Sequence, residues 1–366
     1  MFILGVNISH HPSVALLKDG ELILYLEDDR LNRQKEKEWN IGDRMQSFEN
    51  VARYTKHIDH IIFVSYVKDR FYDGIDYDLI EQSQNRLESL GITHDELHFH
   101  KEHHLYHATN AFYSSEFKEA AALIIDANGV LFNDWSKCRE IESMYYFSET
   151  DYEVVHKVYG IVDPIFTMVN NIDPVPGQSS IKIDDKTILS CTMGCAQIFN
   201  LICWTVGLAN EPGKIMGLSP YGDAEKTGTE PWFKFDEEVG IWITDNKNIL
   251  NTIRRCFNIP LEPQKFLFEP SANLSKKAQE ETEKHTIRLI QELIDKTGTN
   301  NVVLSGGYFL NCVNNYQYVK AFSEVNFFVD PCAHDGGTSI GGARYVWHNV
   351  LKNKQRYPLK SLFLGG

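Results

Sequence analysis

The residues best suited to chemistry in this sequence are a histidine pair. In Glu102-His103-His104-Leu105-Tyr106-His107-Ala108, His103 and His107 stand four positions apart. On a helix both imidazoles leave the same face and can close on one metal ion. The competing reading is a histidine-rich surface turn, because His94, His98, His100 and His104 crowd the same stretch. A metal needs oxygen partners, and two aspartates offer them. Asp126 ends the apolar run Ala120-Ala121-Ala122-Leu123-Ile124-Ile125, the setting in which a carboxylate sits at the carboxyl edge of a sheet facing a cleft. Asp335 lies in His334-Asp335-Gly336-Gly337-Thr338-Ser339, a turn entering a helix, where the N–H groups of Gly336 and its neighbours can hold phosphate. Taken singly, each aspartate reads equally as an N-cap or turn residue. Together, two imidazoles and two carboxylates with open positions suit a divalent cation such as Fe(II), Mn or Zn.

Three further segments carry weaker signals. Leu304-Ser305-Gly306-Gly307-Tyr308-Phe309-Leu310-Asn311 follows a strand-like run and begins a helix. Its paired glycines let backbone approach a phosphate or ribose, and the Asn311 amide can reach a hydroxyl or base. Lys214 stands in a glycine-punctuated stretch, 213–222, suited to an anionic ligand or to an ordinary solvated turn; the Walker arrangement is missing. At the front, His10 and the mixed-charge run Glu27 to Lys35 read, on residue type alone, as a structural histidine and a solvated face.

The elements that must position these groups alternate. Apolar runs at 2–8 and 22–27, with Lys18-Asp19-Gly20 before the second, predict an opening β-hairpin. Strands are expected at 60–67 and 95–100, with helices at 77–90 and 103–114. A second cycle begins at 120–126 and runs into hairpin-like stretches at 142–147 and 152–159, which reads as an internal duplication. Segments 160–190 and 209–247, rich in Pro, Gly, Asn and Asp, predict long loops. Helices at 191–206, 247–256, 272–297, 310–322 and 338–351 and strands at 301–305 and 326–330 complete the pattern. The fold class is α/β, in two lobes at 1–118 and 119–366 that share a cleft, with the last helix packing back on the first lobe. Phe132, Trp135, Tyr145, Tyr146 and Phe147 offer rings that can stack on a sugar or base.

A chain of 366 residues exceeds what one core usually carries. Its 36 basic and 50 acidic side chains leave a net charge of −14, which argues against bulk nucleic-acid binding. Seven cysteines without paired spacing argue against a disulfide framework and fit a reducing cytoplasm. No stretch approaches the ~18–20 apolar residues of a membrane span, and the first residues lack the basic start and cleavage site of a signal peptide.

In order along the chain, these segments resemble the nodulation-type O-carbamoyltransferase family. Its transferase domain is similar to the universal tRNA threonylcarbamoyltransferase and has the two-lobed actin-like ATPase (ASKHA) fold, with duplicated mixed-sheet lobes around a central cleft. The resemblance rests on Gly5 to His10 with Ser13, the run at 27–35, His103 to Ala108, Ile125-Asp126, Lys214 to Gly222, Leu304 to Asn315, and His334 to Thr338. It implies transfer of a carbamoyl group from ATP-derived carbamoyl-adenylate to a hydroxyl of a sugar, another small molecule or a hydroxymethylated pyrimidine nucleotide. By motif position His103, His107, Asp126 and Asp335 match the metal ligands, with iron first in expectation. Gly306, Gly307 and Asn311 match the nucleotide-binding turn, to which Lys214 and Gly336 are added as anion-facing groups. His10 and Lys35 match cleft residues beside the reacting carbon, suited to steadying a tetrahedral intermediate or accepting the acceptor's proton. The family commonly has an acidic residue after the first-motif histidine; here His11-Pro12 follows. Its YrdC-like second domain, which makes carbamoyl-adenylate, would begin near residue 361, so a separate or excised YrdC-like unit is expected to supply the donor. The alternative function is a nucleotide- and metal-binding ATPase, kinase or non-catalytic scaffold of the same fold.

Overall fold

The computed structural model describes residues 1–8, 10–34, 40, 42–64, 77–132, 138–161, 180–208, 211–257 and 266–364. The first sheet opens with an antiparallel meander of β1 (Phe2–Asn7), β2 (Ser13–Lys18) and β3 (Glu21–Glu27). On the other side of β1, β4 (His57–Phe63) and then β5 (Thr93–Phe99) add in parallel, giving the order β3-β2-β1-β4-β5. The expected hairpin between 2–8 and 22–27 is thus corrected to three strands. Asp19 (φ 51°) and Gly20 (φ 88°) make the turn, but it joins β2 to β3. Two consecutive residues at positive φ match the twist of a two-residue hairpin.

The second sheet repeats the plan. β6 (Glu119–Ile125), β7 (Cys138–Ser148) and β8 (Asp151–Ile161) run antiparallel, and β9 (Ser180–Lys182) and β10 (Thr187–Ser190) extend that edge. A separate hairpin pairs β11 (Phe233–Asp236) with β12 (Ile241–Thr244). β13 (Asn301–Ser305) joins the free side of β6 in parallel and β14 (Asn326–Val329) follows it. The order β8-β7-β6-β13-β14 therefore mirrors β3-β2-β1-β4-β5 in order and in strand sense. β1 and β6 are equivalent central strands of duplicated mixed sheets. Part of the expected loops is regular: 180–182, 187–190, 233–236 and 241–244 are strands and 212–218 is helical, while 162–179 lies outside the described residues.

The helices are α1 (Asp28–Asn32), α2 (Ser47–Tyr54), α3 (Tyr77–Ser89), α4 (His103–Ser114), α5 (Cys195–Thr205), α6 (Pro212–Leu218), α7 (Asn246–Phe257), α8 (Phe268–Thr297), α9 (Cys312–Ala321) and α10 (Thr338–Tyr345). Pro212 opens α6, where its missing N–H is one of the helix's unpaired donors in any case. Phe48, Val51, Leu79 and Leu87 of α2 and α3 close the outer face of the first sheet against Leu4, Val6, Leu16 and Ile61. On the outer face of the second sheet, α5, α7 and α8 bury Ile198, Ile253, Leu274 and Leu289 against Leu123, Ile125 and Leu304.

Two helices fill the space between the sheets. Ile340 and Ala343 of α10 pack on Ile3, Ala15 and Ile62 of the first sheet. Leu105, Ala108 and Phe112 of α4 pack on Ala120, Ala122 and Ile124 of the second. Their crossing is close enough to demand glycine: a Cβ on Gly341 would stand 1.9 Å from the Tyr106 carbonyl oxygen, and Thr109 Oγ1 donates to the Gly341 carbonyl at 2.9 Å. Among the described residues no helix is long and apolar enough to cross a membrane, and none of the cysteines forms a disulfide.

The Gly341→Ala substitution is expected to lower the free energy of unfolding by about 1–3 kcal/mol through overpacking. Gly217 in α6 is the control, because a Cβ there would meet no atom within 4 Å. Gly217→Ala is expected to be neutral or stabilising by up to about 1 kcal/mol. Urea unfolding of both variants checks this; equal effects contradict the close α4–α10 crossing.

Candidate active site

The central strands and the two inner helices bring the quartet together. α4 begins at His103, so His103 and His107 project from one face of its first two turns. β6 ends at Ile125 and delivers Asp126, and Asp335 starts the short 3-10 turn that leads into α10. His103 Nε2 lies 3.2 Å from His107 Nε2, 3.4 Å from Asp126 Oδ2 and 3.5 Å from Asp335 Oδ1. His107 Nε2 is 3.6 Å from the same Asp335 oxygen. One donor atom from each of the four residues lies within 4.8 Å of every other. Metal–ligand bonds of about 2.0–2.1 Å in a tetrahedron imply donor–donor edges of about 3.3–3.4 Å. The observed edges bracket that value, and the nitrogen–oxygen donor set fits Fe(II), Mn(II) or Zn.

Electrostatics points the same way. Burial and the neighbouring Asp335 charge favour a neutral Asp126, yet the His103 hydrogen bond and the two imidazoles outweigh them and hold its carboxyl at about 2. Asp335 is held well below the usual carboxylate range, against burial, by His103 and His107. Burial alone would lower His103, but Asp335 and Asp126 raise it to about 10. Both carboxylates stay ionised, and the space between them calls for positive charge. A proton on His103 and a divalent ion meet that demand in competition with each other.

Neighbouring backbone fixes the carboxylates. The Gly307 N–H donates to Asp126 Oδ1 at 3.0 Å, so the Gly306–Gly307 turn abuts the quartet. Gly306 has φ 95° and a Cβ there would come within 2.3 Å of the Ile125 carbonyl, so both conformation and space require glycine. Asn7 Nδ2 donates to the carbonyls of His10 (2.8 Å), His11 (3.1 Å) and Asp335 (3.1 Å). Ser13 Oγ donates to the Gly336 carbonyl at 2.7 Å. The first lobe therefore clamps the Asp335 turn. Behind it, buried Asp330 accepts from Asn110 Nδ2 (2.8 Å), Ser305 Oγ (2.9 Å) and the Cys332 N–H (2.9 Å).

Under α4 lies a buried ion-pair network. Lys157 Nζ donates to Glu140 Oε1 at 2.7 Å and reaches Glu102 Oε2, just before His103, at 3.3 Å. Burial opposes ionisation of Glu140, but the Lys157 charge and His104 bring its carboxyl down to about 2. Burial lowers His104 to about 4, leaving it neutral, and its Nδ1 pairs with Ser143 Oγ at 2.7 Å. Residue type and spacing did not mark Asn7, Glu102, Glu140, Lys157 or Asp330 as working residues. The available signal was charge in a strand otherwise buried: Arg139, Glu140 and Glu142 all sit inside β7.

The other sequence-derived residues divide. His10 is exposed, its ring edge-to-face with His11 (4.4 Å), which in turn tilts against His334 (4.7 Å) beside Asp335; it stands at the rim of the quartet. His11 adopts φ 54° before Pro12. Lys35 and Trp135 lie outside the described residues. Lys214 is exposed on α6, 3.9 Å from Glu211. The Gly336 N–H donates to His334 Nδ1 at 3.1 Å and so already has an acceptor. Asn311 is 2% exposed; its Oδ1 accepts from the Asn314 N–H and Gln279 Nε2, and its Nδ2 donates to Gln279 Oε1. Both ends of that amide are engaged in capping α9 and tying it to α8, in place of the expected reach to a hydroxyl or base. Tyr145 and Phe147 belong to the core under α4 rather than to a stacking surface.

Glu140 has an ordinary carboxyl value of 4.5 and a folded value of about 2, so its ion pair contributes stability present above 4.5 and lost as pH falls towards 2. Lys157→Met takes the paired cation away from buried Glu140 and is expected to cost about 3–5 kcal/mol at pH 7. The variant should also lose the steep fall in stability across that acid window. Urea unfolding as a function of pH checks both; a Lys157→Met protein as stable as wild type contradicts the network.

Comparison with known proteins speaks to the fold and the family. Among curated relatives, nodulation protein NolNO of Sinorhizobium fredii is 22% identical over 377 residues, spanning 97% of this chain and 49% of its own. An uncharacterised protein of Synechocystis sp. is 23% identical over 402 residues, spanning 96% and 58%. The chain thus spans about half the length of the curated relatives it matches. Full-length HypF in its phosphate- and nucleotide-bound form superposes with a TM-score of 0.58 at 15% identity, over 95% of this chain and 56% of that one. HypF of T. kodakarensis gives 0.55 at 13% identity, over 94% and 47%. These likenesses establish the fold as the two-lobed ASKHA type. Residues 43–344 match the family described as Carbamoyltransferase N-terminus, and the chain belongs to that family.

Proposed function

We propose that this chain is the transferase unit of an O-carbamoyltransferase, passing the carbamoyl group of carbamoyl-adenylate to a hydroxyl. The observation that carries the reading is the His103–His107–Asp126–Asp335 quartet, buried but for the partly exposed Asp335 and touched directly by the Gly306–Gly307 turn. Family membership supports carbamoyl transfer, and a phosphate- and nucleotide-bound HypF of the same fold supports a nucleotide in the cleft. A divalent cation held by the quartet, Fe(II) first, Mn or Zn otherwise, would supply Lewis-acid neutralisation of phosphate charge.

The chain's own residues do the rest. The glycine turn is proposed to admit a phosphate or ribose at backbone distance, while Asn311, capping α9 and bonded to Gln279 of α8, holds the end of that turn in place. The acceptor oxygen attacks the carbamoyl carbon, the mixed anhydride bond to the adenylate phosphate breaks, and AMP leaves with that bond's electron pair. The acceptor's proton passes to a base, for which His10 at the rim is the proposed group. Lys35 is proposed to face the tetrahedral oxyanion, and Lys214 and Gly336 to line the approach of the anionic donor. The acceptor is a small molecule, a sugar or a hydroxymethylated pyrimidine nucleotide, in keeping with a net charge of −14. The donor comes from a YrdC-like unit in the same or a separate chain, in a cytoplasmic setting.

The test incubates the chain with carbamoyl-adenylate, Fe(II) or Mn(II), and panels of hydroxylated acceptors, reading products by mass spectrometry. Carbamoylated product is expected, with His103→Ala abolishing turnover while the protein stays folded, and His10→Ala slowing it by about 10²–10⁴-fold. No carbamoylated product in any panel, with phosphorylated product or phosphate release when ATP replaces the donor, overturns the reading.

A further inference from the structure

A second group of imidazoles lies away from the cleft. β4 and β5 pair in parallel with His60 beside Glu96 and Ile62 beside His98. Strand alternation puts His94, Glu96 and His98 on one face of β5 and His60 on the same face of β4, with His100 just past the end of β5. Phe63, Leu97 and Phe99 point the opposite way, into the core beneath α2 and α3. The histidine face is the one that turns towards the end of α10, where the His100 ring meets Tyr345 at 5.5 Å.

Three donor atoms converge there. His60 Nδ1 is 3.1 Å from His98 Nε2 and 3.3 Å from Glu96 Oε2, and His98 Nε2 is 3.8 Å from the same oxygen. This triangle has edges close to the about 3.3–3.4 Å expected around an ion with ligands at about 2.0–2.2 Å. His60 is 7% exposed, so its Nδ1 is built into the group rather than waving in solvent. Two ring nitrogens facing each other at hydrogen-bond distance can share one proton, and protonating both would set two cations in contact.

We propose that His60, Glu96 and His98 form a second divalent-cation site, of the Zn class, that staples edge strand β5 to β4. Two imidazoles and one carboxylate suit a borderline ion such as Zn²⁺ and leave a position for water. β5 is an edge strand of the first sheet, paired on one side only, so a metal tie there secures a strand with a single neighbour. The site shares no residue with the quartet, and its presence does not depend on the chemistry proposed there. A nearby group on the opposite face, His57 with Asp95 at 3.2 Å, is largely exposed and serves as the control.

The test titrates the full chain with Zn²⁺ against a chromophoric chelator and follows the melting temperature. Wild type is expected to bind two equivalents, His103→Ala one, and His98→Gln one at matched concentration, with affinity for the lost equivalent down at least about 100-fold. The His98 side chain is 13% exposed, and glutamine keeps a polar group of similar length there, so His98→Gln should fold; circular dichroism verifies it, and His60→Ala is read alongside. His57→Ala should keep both equivalents. Zn²⁺ should raise the melting temperature of His103→Ala, and not of the His98→Gln/His103→Ala double variant. Wild type binding a single equivalent that His103→Ala removes, His98→Gln binding as wild type does, or loss of the second equivalent in His57→Ala each overturns the proposal.

Discussion

Two carboxylates, buried Asp126 and partly buried Asp335, both meet the His103 imidazole, and the space between them must hold positive charge. That requirement organises the rest. Neither aspartate can be moved alone, because each comes from a different part of the chain and both meet His103. The duplicated topology is what makes the meeting possible. β6 is the central strand of the second sheet as β1 is of the first, and both carboxyl ends open at the same crevice, so Asp126 and the Asn7 clamp arrive from opposite lobes.

The inner pair of helices supplies the remaining precision. α4 brings both imidazoles and α10 follows Asp335, and their crossing at Gly341 sets the distance between the two halves of the quartet. The polar groups behind them are engaged: Asp330 by three donors, Glu140 and Glu102 by Lys157, His104 by Ser143. Buried networks of this kind hold side chains in one geometry, because each partner would be left costly and unpaired if it moved. Those bonds tie the described polar groups behind the quartet to one another, and the glycine turn at 306–307 packs closely on Ile125 and Asp126.

Much of this was legible in the sequence, for reasons that can be stated. His103 and His107 have helical spacing, Asp126 ends an apolar strand, and Asp335 precedes a helix in a glycine-rich turn; local pattern determines each position. The second repeat was legible from its apolar strand and hairpin. β2 was not, because Ser-Val-Ala-Leu-Leu is buried on both faces and lacks the alternation that marks a half-exposed strand. The loops expected at 209–247 hid a hairpin for the opposite reason, since Phe233 to Asp236 and Ile241 to Thr244 are only four residues each. Asn311 shows the limit of residue type as a guide. An amide beside a glycine turn serves a ligand or a helix cap equally well, and only the position of Gln279 on α8 decides it. The Lys157 network is likewise a tertiary fact, since its three charges come from three separate elements.

The central claim is that His103, His107, Asp126 and Asp335 close on one divalent ion. Anomalous diffraction from crystals of the Mn(II)- or Fe(II)-loaded protein tests it most directly. A single strong peak within bonding distance of both Nε2 atoms and one oxygen of each aspartate is the predicted result. Side chains that stay in place with no peak between them, or a peak held by other residues while the quartet keeps a proton on His103, would contradict it.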